Sequence, residues 1–447
     1  MQAILIRGGR VIDPANNFDA VADVLIADGK IKLVGSAREG DYKSFKTADS
    51  GMEVFNAKGL WVLPGLIDLR AHLGEPGNEN AETIAGGALA AIHGGVTTVA
   101  CMPDTDPPID TEAGVQYVLG QGKQADLAEI LPVAALTKKR EGKELAELGQ
   151  LARAGAVAFS DEMRAIDSPS TLLKGMTYAS MFGRAVIEFA QDPAMSSGAM
   201  NSGYEATLAG LPGIPSVAEE LAVARACMFA REAGCHYHAA KISTKNAVRA
   251  IKRARKLRVQ VTAATCPHYF ALTDALVRKH YDTAYKVFPP LRGVEDAAWL
   301  KRGLREGIIE CISSDHTAVP PELKELEFGR APFGVVGLET LLPVTLTSLL
   351  QDGEMTPAKV VAALTCNPAK VLGVHKRKGA LTPGYDADVC MVDPAEEWSL
   401  DPSRLASRCK NTPFAGMKLK GRVKFTVARG RLFDVGAPIE AIQSPSR

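Results

Sequence analysis

The chain has 447 residues, of which 46% are hydrophobic and 23% charged, and its formal net charge is +1. This length is enough to bury a large core, and the balanced charge argues against nucleic acid or a membrane surface as the main partner. No apolar run reaches the ~18 residues of a membrane span, and the sequence opens on a short strand and a Gly-Gly turn rather than a signal peptide. The eight cysteines contain no CxxC pair, so we expect reduced thiols in a cytoplasmic protein.

Both ends of the sequence predict short strands. Residues 22–34 contain two apolar runs around Asp28-Gly29, which is a strong hairpin signal. Similar apolar runs occur at residues 388–392 and 423–427. We expect residues 1–55 and 376–447 to meet in one composite β domain, a small β-sandwich.

The middle of the chain, residues 56–375, alternates predicted strands with helical patterns. The candidate strands lie at residues 66–69, 96–100, 130–134, 156–159, 185–188, 237–240, 259–262 and 308–312. Helical patterns follow most of them, for instance at 218–233 and 244–256. Eight such units predict an α/β fold, a (β/α)₈ TIM barrel. The glycine-rich stretch 190–217 predicts a structured loop over the barrel mouth.

Catalytic groups in such a barrel lie at the C-terminal ends of the strands. The predicted first and fourth strands run into Arg70-Ala71-His72 and Asp161-Glu162. The fifth, sixth and eighth run into Phe189, Lys241 and Asp315-His316. These positions are therefore the candidates for a functional site.

Several motifs around these positions resemble the dihydroorotases, and specifically the branch that associates with aspartate carbamoyltransferase. The motifs are Val62–Asp68, Met102-Pro103, Gly142–Leu145, Ala158–Asp161, Gly210–Pro215, Phe333-Gly334, Gly337–Thr340 and Asn411–Phe414. The resemblance covers nearly the whole chain. It implies an amidohydrolase barrel that works on a cyclic amide in pyrimidine biosynthesis.

The family's metal positions have changed. The resemblance implies zinc ligands at positions 70, 72, 161, 189, 241 and 315, where this chain has Arg70, His72, Asp161, Phe189, Lys241 and Asp315. Zinc needs three or four nitrogen, thiolate or carboxylate ligands, whereas phenylalanine offers none and arginine keeps its proton. We therefore expect no cofactor, or at most one weakly bound zinc ion, with Asp315 in a vestigial general-base position.

The family's substrate positions have changed as well. Gly74 stands in place of the arginine that holds the dihydroorotate carboxylate, and Asp104 in place of an asparagine that binds the same group. Phe288 replaces a second asparagine and Val319 a histidine. We therefore expect no residue at these four positions to bind dihydroorotate.

Arg70 and Lys241 could neutralise the carboxylates that metal ions balance in active relatives. A buried carboxylate without a partner costs several kcal/mol, so we expect both cations within salt-bridge distance of Asp161 or Asp315. The alternative is that both side chains point to water in an open mouth. His268 is expected to keep only a structural hydrogen bond.

Three functions remain open from the sequence. The leading prediction is a pseudoenzyme, a dihydroorotase homologue without catalysis that acts as a scaffold partner of aspartate carbamoyltransferase and forms a homo-oligomer. The first alternative is an active zinc-dependent dihydroorotase or related cyclic amidohydrolase with a reduced metal site. The second is a small-molecule sensor or interaction protein that reuses the barrel pocket.

Overall fold

The fold is given by a computed structural model that describes residues 3–36, 38, 40, 52–350 and 353–437. Its strands, in chain order, are β1 Ile4–Asp13, β2 Phe18–Ala27, β3 Lys30–Gly35, β4 Glu53–Asn56, β5 Trp61–Pro64, β6 Leu66–His72, β7 Val96–Cys101, β8 Glu129–Ala134, β9 Ala158–Phe159, β10 Ala185–Phe189, β11 Met200–Asn201, β12 Gly213–Ile214, β13 Tyr237–Ala240, β14 Val261–Thr265, β15 Cys311–Ile312, β16 His316–Thr317, β17 Val389–Ser399, β18 Lys418–Ala428 and β19 Arg431–Asp434. They form two large sheets and one short ribbon.

The middle of the chain forms a curled parallel sheet with the strand order β15-β14-β13-β10-β9-β8-β7-β6-β16. Strands β15 and β16 belong to one segment, residues 311–317, and pair with β14 and β6 at opposite edges of the sheet. The order therefore returns to its starting segment, as in a barrel. The predicted α/β barrel class is confirmed, although the seventh strand lies at Val261–Thr265 rather than at 259–262.

Helices connect these strands and cover the outside of the sheet. The longer ones are Ile84–His93, Glu112–Ala125, Leu148–Ala154, Pro169–Ser180, Val217–Ala233, Lys245–Lys256, Val294–Arg305, Leu341–Leu349 and Pro357–Leu364, and the shorter ones are Tyr204–Ala209, Pro267–Ala271, Ala275–His280, Pro321–Lys324 and Cys366–Val371. Local sequence explains where several of them begin. Thr83, Thr111 and Thr244 each cap a helix by accepting a hydrogen bond from the backbone N–H three residues later.

The strands of the two chain ends join in one continuous sheet with the order β19-β18-β17-β5-β1-β2-β3, and β4 pairs with β1. The sequence predicted this union of the ends as a sandwich, and the hydrogen bonds show a single sheet. The predicted unit boundaries, 1–55 with 376–447 and 56–375, stay predictions. Residues 41–51 and 438–447 of the first unit lie outside the described residues.

The stretch at 190–217 is structured, as predicted. Met200 and Asn201 of β11 pair in parallel with Gly213 and Ile214 of β12. Arg292 ties this ribbon to the barrel, because its guanidinium donates to Asn201 Oδ1 at 2.8 Å and to the Ile214 carbonyl at 3.0 Å. The segment is thus fixed beside the barrel mouth.

The buried apolar residues lie mainly between the barrel strands and the outer helices, and a separate cluster lies on the sheet of the chain ends. All eight cysteines are buried and none is in a disulfide. Within the described ranges, no helix combines the length and the apolar character needed to cross a bilayer.

Candidate active site

Asp315 lies between β15 and β16 at the C-terminal mouth of the barrel and is 3% exposed. Its Oδ1 atom accepts a hydrogen bond from Lys241 Nζ at 2.9 Å and contacts Arg70 Nη1. Both cations are buried, since Arg70 is 1% exposed and Lys241 is 2% exposed. The predicted approach of Arg70 and Lys241 to Asp315 is confirmed, and the open-mouth alternative is wrong.

Arg70 also pairs with Glu162, a residue predicted at the end of the fourth strand but not expected to bind this cation. Its Nε atom donates to Glu162 Oε2 at 2.9 Å, and its Nη2 atom contacts Glu162 Oε1. The Glu162 side chain is fully buried. One guanidinium therefore bridges two carboxylates, which suits its planar fork.

Asp161, which precedes Glu162, has neutral partners instead. Its Oδ1 atom accepts hydrogen bonds from the backbone N–H groups of Leu136 and Thr137, each at 2.9 Å, and Oδ2 accepts from the Thr137 hydroxyl. Of the two aspartates that the prediction named, Arg70 and Lys241 pair with Asp315. Asp161 instead takes its hydrogen bonds from donors that follow β8.

With their different partners, Asp315 and Asp161 have pKa values that are shifted in opposite directions. Burial pushes the pKa of Asp315 up, but Lys241 and Arg70 outweigh it and hold that pKa at about 2. Burial raises the pKa of Asp161, and its neutral hydrogen bonds do not fully offset the shift. Burial and the neighbouring Arg70 lower the pKa of Lys241 to about 8. At pH 7 Asp315 is therefore a carboxylate between two cations.

His72, the histidine retained at the end of β6, bonds to Asp104. The His72 Nδ1 and Asp104 Oδ2 atoms are 2.5 Å apart, and His72 Nε2 lies 3.8 Å from Glu162 Oε1. Burial lowers the pKa of His72, whereas His72 holds the pKa of Asp104 well below its usual range despite burial. Asp104 therefore carries its negative charge at this side of the mouth.

Aromatic rings form another side of the mouth. The rings of Phe189 and Phe288 are 4.8 Å apart, and those of Phe288 and Phe333 are 4.9 Å apart. Lys241 Nζ lies 5.0 Å from the centre of the Phe189 ring, a cation–π distance. The position where the family has a ligand histidine thus supplies an apolar wall.

Two further positions predicted to have lost substrate contacts are occupied by small or apolar residues. Gly74 has a φ of +68°, and a Cβ atom there would lie 2.6 Å from the Glu82 carbonyl oxygen and 2.7 Å from that of Asn78. A side chain at position 74 would therefore require the loop to move. Val319 is buried. That Gly74, Asp104, Phe288 and Val319 bind no dihydroorotate stays a prediction.

The end of β14 brings two residues to the site that the sequence analysis did not place there. Cys266 follows the strand directly, and His268 lies two residues further, with Nε2 3.7 Å from Asp315 Oδ2. One ligand atom of each of Cys266, His268 and Asp315 lies within 4.8 Å of the other two. The structural hydrogen bond expected of His268 is not found at Nε2, which has no hydrogen-bond partner among the described residues.

The family's own metal positions do not fit a two-metal centre. Charged arginine and lysine side chains have no lone pair to donate, and Phe189 has no donor atom at all. The Arg70 guanidinium also fills the space between Asp315 and Glu162, where it contacts both carboxylates. Cys266, His268 and Asp315, by contrast, offer the sulfur, nitrogen and oxygen donors that zinc accepts.

Comparisons with known proteins place the chain among the amidohydrolases. The family model described as dihydro-orotase-like matches residues 59–247, and the amidohydrolase family model matches residues 203–433. The chain is 43% identical over 430 residues to the dihydroorotase of Syntrophus aciditrophicus (strain SB), covering 96% of this chain and 98% of that protein. It is 42% identical, with the same coverage, to the dihydroorotase of Geobacter sp. (strain M21).

Solved structures agree with this placement. The L-hydantoinase (dihydropyrimidinase) from Arthrobacter aurescens has a TM-score of 0.84 and 26% identity, covering 97% of this chain and 96% of that chain. The dihydropyrimidinase from Brevibacillus agri has a TM-score of 0.83 at 23% identity, covering 96% and 95%. These structures confirm the barrel fold.

The relatives contradict two predictions made from the sequence. The prediction of a non-catalytic scaffold for aspartate carbamoyltransferase is wrong, because dihydroorotases are 42–43% identical to nearly the whole chain. The prediction that the protein takes no cofactor is wrong as well, because dihydroorotase relatives imply a metal and the described residues include a possible ligand cluster. On these grounds the chain belongs to the dihydroorotase-like amidohydrolases.

Proposed function

We propose that this protein is a cyclic amide hydrolase of the dihydroorotase type with a reduced metal site. The observation that carries the proposal is the state of Asp315, which stands at the family's general-base position. Its carboxylate is ionised and buried at the mouth, with Oδ1 on Arg70 and Lys241 and Oδ2 on the side of His268. The identity to dihydroorotases over 96% of the chain supports the reaction class.

The reaction consumes one water molecule. Water adds to the ring carbonyl carbon and passes a proton to Asp315, the C–N bond of the ring breaks, and the leaving nitrogen takes up the proton. The product is an open chain with a new carboxyl group and a new N–H. Arg70 and Lys241 contact Oδ1 and so hold the Asp315 carboxylate in place for the proton exchange.

A carboxylate with a pKa of about 2 is a weak base. It removes a proton efficiently only from water that is more acidic than bulk water. A bound divalent metal ion would supply that acidity. The proposed function therefore requires a metal that does not use positions 70, 189 and 241.

The first substrate to test is dihydroorotate, because the relatives are dihydroorotases. A second candidate is a neutral cyclic ureide such as dihydrouracil or a hydantoin. Asp104 favours the neutral ring, since its charge opposes the substrate carboxylate and position 74 has no arginine to attract it. The rings of Phe288 and Phe333 would pack against an apolar ring substituent.

The test is a substrate panel with the purified, metal-supplemented protein. Ring opening of dihydroorotate, dihydrouracil and a 5-substituted hydantoin is followed by chromatography, with Asp315→Asn as the control. We expect turnover of at least one of them in the usual enzyme range, about 1 s⁻¹ or more. Ring opening of none of the three, or equal ring opening by Asp315→Asn, would refute the proposal.

We also propose, from the resemblance alone, that the chain forms a homo-oligomer and associates with aspartate carbamoyltransferase in the cytoplasm. An active hydrolase can make such an association, so it does not depend on the rejected scaffold role. Co-purification of the two proteins from co-expressing cells, followed by measurement of the particle mass, tests it. Separate elution of the two proteins would contradict it.

A further inference from the structure

We infer that Cys266, His268 and Asp315 bind one divalent transition-metal ion, zinc being the natural choice for this donor set. Cys266 and His268 follow β14, a strand that carries none of the family positions named above, so the site is displaced by one strand. The inference deepens the proposed function and rests on it for its catalytic meaning. Its metal chemistry is testable without turnover.

The geometry is close to that of a tetrahedral zinc site. With zinc–nitrogen and zinc–oxygen bonds of about 2.1 Å and zinc–sulfur bonds of about 2.3 Å, tetrahedral ligand atoms lie roughly 3.4–3.7 Å apart. His268 Nε2 and Asp315 Oδ2 are already 3.7 Å apart. All three donor atoms lie within 4.8 Å of one another, so a shift of no more than about 1 Å would bring the sulfur to a tetrahedral separation.

Two of the donors have no competing strong partner at the ligand atom, and the third, the Cys266 thiol, has to release its proton on binding because burial raises its pKa. His268 is 1% exposed and its Nε2 atom has no hydrogen-bond partner among the residues described, which is costly for a buried polar atom. Asp315 uses Oδ1 for its two cations, and Oδ2 faces His268. Cys266 is fully buried and its sulfur has only a weak contact, 3.6 Å from Ser313 Oγ.

The local sequence explains why these side chains converge. Cys266 stands directly before the helix Pro267–Ala271, and Pro267 at the first helical position fixes the turn out of β14. His268 then lies on the first turn of this helix. Asp315 enters from the neighbouring segment, because β14 pairs with β15 through Ala264 with Cys311 and Thr265 with Ile312.

Three protein ligands leave a fourth tetrahedral position for water or substrate, as in catalytic rather than structural zinc sites. The nearby cations Lys241 and Arg70 would repel a dication. Affinity is therefore expected to be lower than that of an isolated Cys-His-Asp site, and removal of one cation should raise it.

The experiment is a titration of the metal-free full-length protein with Co²⁺, which replaces zinc and reports its ligands by absorption. We expect one equivalent bound per chain, with a thiolate-to-cobalt charge-transfer band in the near ultraviolet. Cys266→Ser should lose that band, and His268→Gln should weaken binding by about tenfold or more. Cys366→Ser, a change at another buried cysteine, is the matched control and should keep both the band and the affinity.

Lys241→Met distinguishes the loss of a repelling charge from general damage to the site, because damage would weaken Co²⁺ binding. Loss of a cation next to Asp315 should tighten Co²⁺ binding by about tenfold. Thermal unfolding checks that each variant folds, and Asp315→Asn replaces any ligand variant that does not. A charge-transfer band unchanged in Cys266→Ser, absence of Co²⁺ binding, or two equivalents bound would overturn the inference.

The outcomes also separate this inference from the proposed function. A cobalt spectrum that depends on Cys266, in a protein that opens none of the cyclic amides, would keep the metal site and refute the hydrolase. Turnover without metal binding at Cys266 would keep the hydrolase and refute the site.

Discussion

Two aspartates at the barrel mouth have opposite surroundings. Asp315 has two cations in direct contact, and its pKa stays at about 2 although it is buried. Asp161 has only two backbone N–H groups and one hydroxyl as partners, and burial raises its pKa. The charge of nearby Arg140, whose Nε atom bonds to the backbone carbonyl of Asp161 at 3.1 Å, lowers this pKa by less than burial raises it.

The difference shows that the two carboxylates no longer belong to one centre. The resemblance to the dihydroorotases implies one shared pair of metals at these two positions. Here Arg70 contacts both Asp315 and Glu162. Asp161 instead accepts a hydrogen bond from the backbone N–H of Thr137, which follows β8. Chemistry should therefore depend on Asp315 and its neighbours at the end of β14, and Asp161 should serve the fold.

The largest expected effect on stability comes from Arg70→Ala. The change leaves Glu162 without a cation and Asp315 with Lys241 alone, so two buried carboxylates lose a partner. Breaking a buried ion pair from one side costs about 3–5 kcal/mol. The free energy of unfolding, measured with urea, should fall by this amount, and the double variant Arg70→Met with Glu162→Gln should recover part of it. An unchanged midpoint in Arg70→Ala would show that the cluster does not stabilise the fold.

A third buried carboxylate, Glu188, tests whether contact with cations explains the different pKa values of Asp315 and Asp161. Glu188 is buried, Arg225 is 3.8 Å away, and burial raises the pKa of Glu188 to about 7. The folded state therefore binds more protons than the unfolded state between pH 4.5 and 7, and stability should fall as the pH rises through this window. The expected loss is about 3 kcal/mol.

The matched variant for this pH dependence is Glu188→Gln, which has no proton to lose. Unfolding midpoints of both proteins are measured between pH 4.5 and 8. The difference between them should grow in favour of the variant up to about pH 7 and then level off. Parallel curves would mean that the Glu188 carboxyl has an ordinary pKa.

The smallest expected effect comes from Asp161→Asn. The amide oxygen can still accept the hydrogen bonds from Leu136 and Thr137, and the variant removes a charge that burial disfavours. We expect the free energy of unfolding to change by about 1 kcal/mol or less. A loss as large as that of Arg70→Ala would mean that Asp161 also depends on a cation.

The sequence predicts the fold and the cation partners of Asp315 because both follow from strand order. Positions 70, 241 and 315 lie at ends of parallel strands, and such ends converge in a barrel. The contact between Glu162 and Arg70 was not predicted, because neighbouring residues on a strand normally face opposite sides and the turn after β9 breaks that alternation. Cys266 and His268 were missed because β14 was predicted to end at residue 262 rather than at Thr265.

The prediction of a silent protein had a different cause. It was based on the joint change of the family's metal and substrate positions, and replacement ligands from another strand cannot be recognised without knowing where that strand ends. The prediction is contradicted by dihydroorotases whose similarity extends over 96% of this chain. The cluster of Cys266, His268 and Asp315 offers another set of possible metal ligands.

The role of Asp315 is tested most directly by cyclic amide hydrolysis with three matched proteins, the wild type, Asp315→Asn and Asp161→Asn, each loaded with zinc. The substrate is whichever of dihydroorotate, dihydrouracil or the hydantoin the wild type opens fastest. A catalytic centre built on Asp315 predicts that kcat/KM falls by about a thousandfold or more in Asp315→Asn, because both a proton acceptor and a metal ligand are lost. It predicts a change of less than about tenfold in Asp161→Asn, whose side chain contacts neither group. Equal losses in the two variants, or a wild type that opens no ring, would contradict it.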